Sequence, residues 1–298
     1  MKKATVFIKG GFGNQLFQFC FANYLQEKGF KVNVNTDLFH TPSNDTPRDL
    51  TLPISYFGFD EQKNFDKKKF EIFHKINSSR TIKKSLLGKY FEEYRFIKEN
   101  IDFENMKYKK YFFNGYWKNI KYILNNKRYL ISSLSNSELL ESAFNFETKK
   151  NYAMVHVRRG DFIKDDRHLN VSYYEKSLVL LHEKLKNVKF DIFTDDEDWV
   201  KKQKIFTKAE NIFAQEGGKN NNPVNPEIDG KDDREETIST FAKMLGYENF
   251  IAGNSSFAFW AAFLRSKNNS FITVPHPWFR NNEHPTLKKD GWLVVANI

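Results

Sequence analysis

Ala4-Thr5-Val6-Phe7-Ile8-Lys9-Gly10-Gly11-Phe12-Gly13-Asn14-Gln15 is the stretch that decides the fold. Ala4 to Ile8 is a short apolar run that reads as a buried strand, and the glycines from Gly10 to Gly13 stop it. A helix is expected from about Asn14 to Lys28, with Leu16, Phe19, Cys20, Asn23 and Leu25 giving it one mostly apolar side and Gly29 ending it. Phe30 to Val34 then returns as a strand. Strand, loop, helix and strand in that order open a doubly wound parallel sheet.

Working outward, residues from about Pro42 to Asn145 mix proline, charge runs and aromatic clusters such as Tyr111-Phe112-Phe113-Asn114-Gly115-Tyr116-Trp117 without a clean period. Beyond residue 151 the alternation becomes regular. Strands are expected at Ala153–Val157, Val188–Phe193, Asn211–Ala214, Phe250–Ala252 and Phe271–Val274, and helices at Ser172–Lys186, Arg234–Tyr247 and Ser255–Leu264. Strands alternating with helices imply a second parallel sheet with right-handed crossovers. The chain therefore reads as α/β, with two Rossmann-type domains at residues 1–148 and 149–298. Ser132-Ser133-Leu134-Ser135-Asn136 and Glu147 to Asn151 are the boundary candidates.

A length of 298 residues suits two such domains, and 40% hydrophobic with 16% aromatic residues, chiefly 31 Phe and 13 Tyr, marks a folded globular chain. The single cysteine, Cys20, excludes an internal disulfide and points to a reducing compartment with the thiol buried and inert. The N-terminus lacks the apolar core of a signal peptide, and no run reaches the ~18 apolar residues of a membrane span, so a cytoplasmic home is expected. The net charge of +10 invites an anionic partner. Most of the basic residues are lysines spread along the chain, as a composition bias would spread them. A nucleic-acid binder would instead gather them on one motif, so no nucleic-acid partner is expected. The runs Lys67-Lys68-Lys69, Lys83-Lys84 and Lys109-Lys110 read as solvated faces, or as peripheral contacts with the inner membrane face.

Ligands of open α/β sheets bind beyond the carboxyl ends of the strands. That rule selects Arg158-Arg159-Gly160-Asp161, Thr194-Asp195-Asp196 and Gly253-Asn254-Ser255-Ser256, which should converge on one edge. Arg158-Arg159 is the only adjacent pair of arginines in the chain. An arginine fork grips a phosphate through two oxygens and stays charged as negative charge builds on a leaving diphosphate. The plain alternative is a surface ion pair between Arg158 and Asp161. His156 shares a sheet face with Met154, where a satisfied core histidine is the ordinary outcome. Asn254-Ser255-Ser256 precedes an apolar helix as an N-cap, and the cap aims N–H groups and hydroxyls at the same edge as Arg158.

Gly11-x-Gly13 after a strand resembles a dinucleotide fingerprint but fails at the third glycine, where Leu16 stands, and no Gly-Lys-Ser/Thr ending makes a P-loop. What remains is a turn exposing N–H groups at a helix start, with Asn14 and Gln15 offering amides to a sugar or phosphate. Asp196-x-Asp198 has the spacing of a metal-binding carboxylate pair, but a continuing helix through Asp198-Trp199-Val200 would turn the two acids to different faces. Asp195, at a strand tip, could accept from a guanine amide and amine.

Gly10-Gly11-Phe12-Gly13-Asn14-Gln15-Leu16-Phe17-Gln18, His156-Val157-Arg158-Arg159-Gly160-Asp161-Phe162, Phe193-Thr194-Asp195-Asp196 and Asn254-Ser255-Ser256-Phe257-Ala258-Phe259-Trp260-Ala261-Ala262, in this order, resemble the α-1,2-fucosyltransferases of glycosyltransferase family 11. Pro275-x-Pro277-Trp278-Phe279 looks like the family's closing segment. The resemblance implies a GT-B-like architecture, two Rossmann-type domains facing a cleft, with acceptor handled by the first and GDP-fucose by the second. It implies an inverting transfer of L-fucose from GDP-β-L-fucose to the 2-hydroxyl of a terminal β-galactoside, without a metal or other cofactor. Carried over residue by residue, Arg158 would hold the β-phosphate and His156 and Asp195 the guanine. Asn254, Ser255 and Ser256 would line the diphosphate or ribose, and Asn14, with Gly11 and Gly13, would lie near the donor sugar. Asp161 is the nominated base, with the leaving phosphate or Asp37 as alternatives. Phe259 and Thr240 depart from the family pattern, where relatives carry a Trp and an acid.

Overall fold

The structure, a computed structural model, describes residues 1–40, 49–62, 89–92, 101, 103, 106, 109–214, 233–279 and 286–297. Pro42 and the lysine runs at 67–69 and 83–84 lie outside the described residues. The chain divides into two compact units, Met1–Leu134 and Ser135–Ile298. The division falls inside the Ser132–Asn136 stretch rather than at 148/149, because the helix Glu138–Asn145 packs on the helix Asp233–Met244 of the second unit. Arg265 secures it, donating from Nη1 to the Phe144 carbonyl at 2.9 Å and from Nη2 to that of Phe146 at 2.8 Å.

The first unit holds a parallel sheet built from β1 (Lys3–Phe7), β2 (Lys31–Asn35), β3 (Asp60–Glu61), β4 (Lys89–Glu92) and β5 (Lys110–Asn114), in the order β3-β2-β1-β5-β4. The helix Phe12–Glu27 carries β1 over to β2 and starts two residues before the expected Asn14. Its phenylalanines are buried nearly all round. Phe19 stacks on Phe57 with ring centroids 3.7 Å apart, and Phe21 on Trp117 at 4.3 Å. Burying each such ring is worth about 1.5–3 kcal/mol. Cys20 lies among them, its thiol pushed well up by burial, as an inert core residue.

The direction of the sheet order reverses between β1 and β5, and glutamines bind the loops that follow those two strands. Gln18 accepts from the Lys9 N–H at 2.9 Å and donates to the Gly115 carbonyl at 2.9 Å. Gln15 donates to the carbonyls of Gly10 and Asp49, each at 2.8 Å, and accepts from the Thr51 N–H at 3.0 Å. Its amide is therefore spent inside the unit, which corrects the expectation that it faces a ligand. Gly10 takes the left-handed turn, φ 74°, that only glycine adopts without strain.

The second unit holds β6 (Lys149–Val157), β7 (Lys189–Thr194), β8 (Ile212–Ala214), β9 (Tyr247–Ile251), β10 (Ile272–His276) and β11 (Leu293–Ala296), all parallel, in the order β11-β10-β9-β6-β7-β8. Counted from β6 this is the doubly wound Rossmann order read from its far edge, with the reversal between β6 and β9. The helices Val171–Lys184, Glu197–Lys202, Asp233–Met244 and Ser256–Arg265 form its connections. The expected helix over Arg234–Tyr247 stops at Met244, and Tyr247 opens β9 instead. Gly246 breaks the helix, and the Tyr247 hydroxyl donates to the buried Asp191 carboxylate at 2.5 Å, which also accepts from Asn211 at 2.9 Å. A carboxylate sealed in the sheet needs those donors.

Gln18→Ala removes the acceptor of the part-buried Lys9 N–H and the donor to the buried Gly115 carbonyl. We expect a loss of about 2–4 kcal/mol in unfolding free energy, read by urea denaturation.

Candidate active site

β9, β6 and β7 are neighbours and run parallel, so the segments following their carboxyl ends share one edge. Val157 of β6 pairs with Thr194 of β7, which sets Arg158 and Arg159 beside Asp195 and Asp196. Asp195 accepts from the Arg159 N–H at 2.7 Å through Oδ1, and its Oδ2 lies 2.8 Å from Arg158 Nη1, an ion pair out of line for a hydrogen bond. Arg158 Nη2 donates to Asp161 Oδ1 at 2.6 Å. The pair with Asp161 named as the plain alternative thus exists, but alongside a second, buried acid. Side-chain exposure is 23% for Arg158, 2% for Asp195 and 44% for Asp161.

Arg159 takes a separate course. Its Nε donates to Asp196 Oδ2 at 3.1 Å, and its guanidinium lies 4.0 Å over the Trp199 ring. Asp196 also caps the helix Glu197–Lys202, Oδ1 accepting from the Trp199 N–H at 3.1 Å. Both Asp196 oxygens are thereby used by the chain, and among the described residues no group of three His, Cys, Asp or Glu is placed to hold a metal ion. Trp199 as a platform under Arg159 was not read from the sequence; an aromatic three residues after a cap acid is the local signal.

At the reversal point, the tip of β9 approaches β6 so closely that a Cβ on Gly253 would stand 2.8 Å from the His156 carbonyl oxygen. Only glycine fits there. His156 is buried, and its Nδ1 has no hydrogen-bond partner. Asn254 spends its amide nitrogen on the carbonyls of Arg167, at 2.5 Å, and Trp278, at 3.0 Å, while its Oδ1 stays unpartnered and buried. Ser255 caps the helix Ser256–Arg265, its Oγ accepting from the Phe257 N–H at 3.2 Å. Buried polar atoms lacking partners are uncommon, and their gathering at one strand edge suits a polar ligand.

His156, Arg158, Asp161, Asp195, Asn254, Ser255 and Ser256 therefore belong to one edge of one sheet. Asn14, Gly11 and Gly13 belong to the first unit, after β1, where the Gly11 carbonyl accepts from the Asn14 N–H at 2.8 Å and Gly13 is buried in the first helical turn. Arg167, whose guanidinium lies 5.2 Å from the Phe162 ring and 5.8 Å from that of Phe279, is a third arginine near the edge, one that the sequence did not flag.

Burial, with the charge of Arg158 adding to it, pushes the His156 imidazole down to about 3. The folded state thus holds a neutral imidazole that the unfolded chain protonates below its usual value near 6.5. Stability is full above that pH and falls as the pH drops toward the folded value. Each pH unit below 6.5 costs about 1.4 kcal/mol, hence about 2 kcal/mol by pH 5. Melting curves from pH 7 to 5 should show that decline, and His156→Gln should flatten it.

A family model described as "Glycosyl transferase family 11" matches residues 63–296. The alpha-1,2-colitosyltransferase of Escherichia coli is 27% identical over 300 residues, across 93% of this chain and 92% of its own length. The O-antigen biosynthesis glycosyltransferase WbnK of Escherichia coli is 24% identical over 329 residues, across 96% and 98%. The crystal structure of the fucosyltransferase NodZ from Bradyrhizobium aligns over 88% of this chain and 92% of that chain at 14% identity, with a TM-score of 0.38. With the family model covering most of its length, and an arginine fork standing at the reversal point of a Rossmann-ordered sheet, the chain belongs to glycosyl transferase family 11.

Proposed function

We propose that the protein transfers L-fucose from GDP-β-L-fucose to the 2-hydroxyl of a terminal β-galactoside, forming an α-1,2 bond in a glycan such as an O-antigen. The observation that carries the reading is Arg158, a partly exposed fork at the end of the central strand and on the same edge as the Ser255 helix cap. As the bond from fucose C1 to the diphosphate lengthens, negative charge gathers on the β-phosphate. Arg158 and the N–H groups at the start of the helix Ser256–Arg265 stabilise that charge more than they stabilise the intact donor. The acceptor oxygen attacks C1 from the opposite face, inverting it, and its proton passes to a base, for which Asp161 is the candidate. His156 and Asn254 offer polar atoms to the nucleotide, and Asn14 of the first unit is assigned to the sugar. No metal enters this scheme, because a guanidinium and helix N–H groups supply the charge stabilisation.

The name of one relative favours a second donor. Colitose is L-fucose without its 3-hydroxyl, so GDP-colitose would place the same diphosphate on the same fork. The absence of a helix long and apolar enough to cross a membrane among the described residues is compatible with a cytoplasmic enzyme that touches the inner membrane face at most peripherally.

Incubation with GDP-fucose and lactose in excess EDTA should yield a product whose NMR spectrum shows fucose α-linked to the galactose 2-position. Turnover restored only by Mn²⁺, or fucose on another hydroxyl, overturns the metal or the linkage reading respectively, and turnover with GDP-colitose alone replaces the donor. Arg158→Ala should lower kcat on the order of 10²–10³-fold. Arg158→Lys should recover part of it, since an ammonium lacks the planar fork. A folded Arg158→Ala enzyme with near-wild-type kcat would remove the phosphate clamp.

A further inference from the structure

We propose that Asp195 is a positioning residue for the transfer, which aims Arg158 at the diphosphate and leaves the nucleobase to other groups. The inference rests on the reading of Arg158 as the phosphate clamp. A carboxylate that recognises guanine must present both oxygens to the ring N–H and the exocyclic amine. Asp195 presents neither. Oδ1 is held by the Arg159 N–H at 2.7 Å, and Oδ2 faces Arg158 Nη1 at 2.8 Å. The side chain is 2% exposed. Gly160 closes over it, since a Cβ there would stand 2.6 Å from Oδ2. One carboxylate thus fixes both the backbone of the Arg158-Arg159 turn and the orientation of the fork that projects from it.

The two acids on Arg158 are unequal. Asp161 reaches Nη2 from three residues along the same short turn and is half open to water, so incoming phosphate oxygens can take its place. Asp195 comes from the neighbouring strand, is buried, and is tied by its second oxygen to the main chain. It stays when Asp161 leaves. An arginine side chain has many rotamers, and a grip on Nη1 alone selects those that point the other nitrogens outward from the sheet edge.

A double-variant cycle separates this from its rivals. Asp195→Asn keeps the size and an acceptor for the Arg159 N–H but removes the charge facing Arg158. Its kcat should fall on the order of 10²-fold. The affinity ratio of GDP over IDP, which lacks the exocyclic amine of guanine, should stay at the wild-type value in calorimetry. Added to Arg158→Ala, Asp195→Asn should cost nothing further in kcat, because its effect passes through the missing fork. Additive losses in the double variant, a collapsed preference for GDP, or a wild-type kcat in Asp195→Asn overturns the proposal. A wild-type kcat in Arg158→Ala sinks the clamp and this inference together, whereas a silent Asp195→Asn beside a crippled Arg158→Ala sinks the inference alone. Should melting curves show Asp195→Asn unfolded, Gly160→Ala takes its place. Its methyl displaces Oδ2 while keeping the charge, and a loss of kcat with unchanged GDP preference supports the proposal, while a wild-type kcat overturns it.

Discussion

A guanidinium at the end of the central strand of a sheet, only partly open to water, needs an acid beside it, and the pairing of Arg158 with Asp195 meets that need across two strands. The cation is useful because it is not fully solvated, so its charge acts strongly on an anion brought to it. The same lack of solvent makes it costly to leave alone. The register that puts Val157 opposite Thr194 places donor and acceptor side by side, and Gly160 leaves room for the carboxylate between them. The register of β6 against β7 and the glycine after the arginines are both constrained by that pair.

The two units treat the same construction differently. In each, a central strand runs into a turn at the point where the strand order reverses. In the first unit that turn is closed by Gln15 and Gln18, whose amide atoms are matched by backbone groups from Lys9, Asp49, Thr51 and Gly115. In the second, His156 Nδ1 and Asn254 Oδ1 are buried without partners. Buried polar atoms left over beside Arg158 are what a polar ligand brought to that edge would satisfy.

The sequence reading was strongest where periodicity and glycine agreed. The helices over Phe12–Glu27 and Val171–Lys184 and the strands β6 and β7 lie close to their expected places, because apolar spacing reports burial directly. The strand β5 was hidden in the aromatic cluster Tyr111-Phe112-Phe113. It is buried on both faces, and such a strand shows a continuous apolar run in place of alternation. The roles of Gln15 and Asp195 were illegible for a different reason. Each looked ligand-facing from its place at a turn, yet two of the three groups that satisfy Gln15 lie more than thirty residues downstream, at Asp49 and Thr51. Asp195 is engaged from the turn after a neighbouring strand, through a hydrogen bond from the Arg159 N–H and an ion pair with Arg158. A polar side chain at a strand tip announces that it must be satisfied without announcing by whom.

The same geometry constrains the candidate base. Asp161 Oδ1 is taken by Arg158 Nη2 at 2.6 Å, and an oxygen that already accepts from a guanidinium is poorly disposed to accept a proton from a sugar hydroxyl. That oxygen is freed only when another anion takes the fork. In the proposed reaction the donor's diphosphate would do so, and it carries more charge than the carboxylate it would displace. If Asp161 is the base, donor binding is therefore what frees it, and an acceptor arriving alone meets a carboxylate already engaged. If another group takes the proton, Asp161 is left with the simpler role of holding the outer nitrogen of Arg158 in the empty site, and the fork keeps its buried partner in either case.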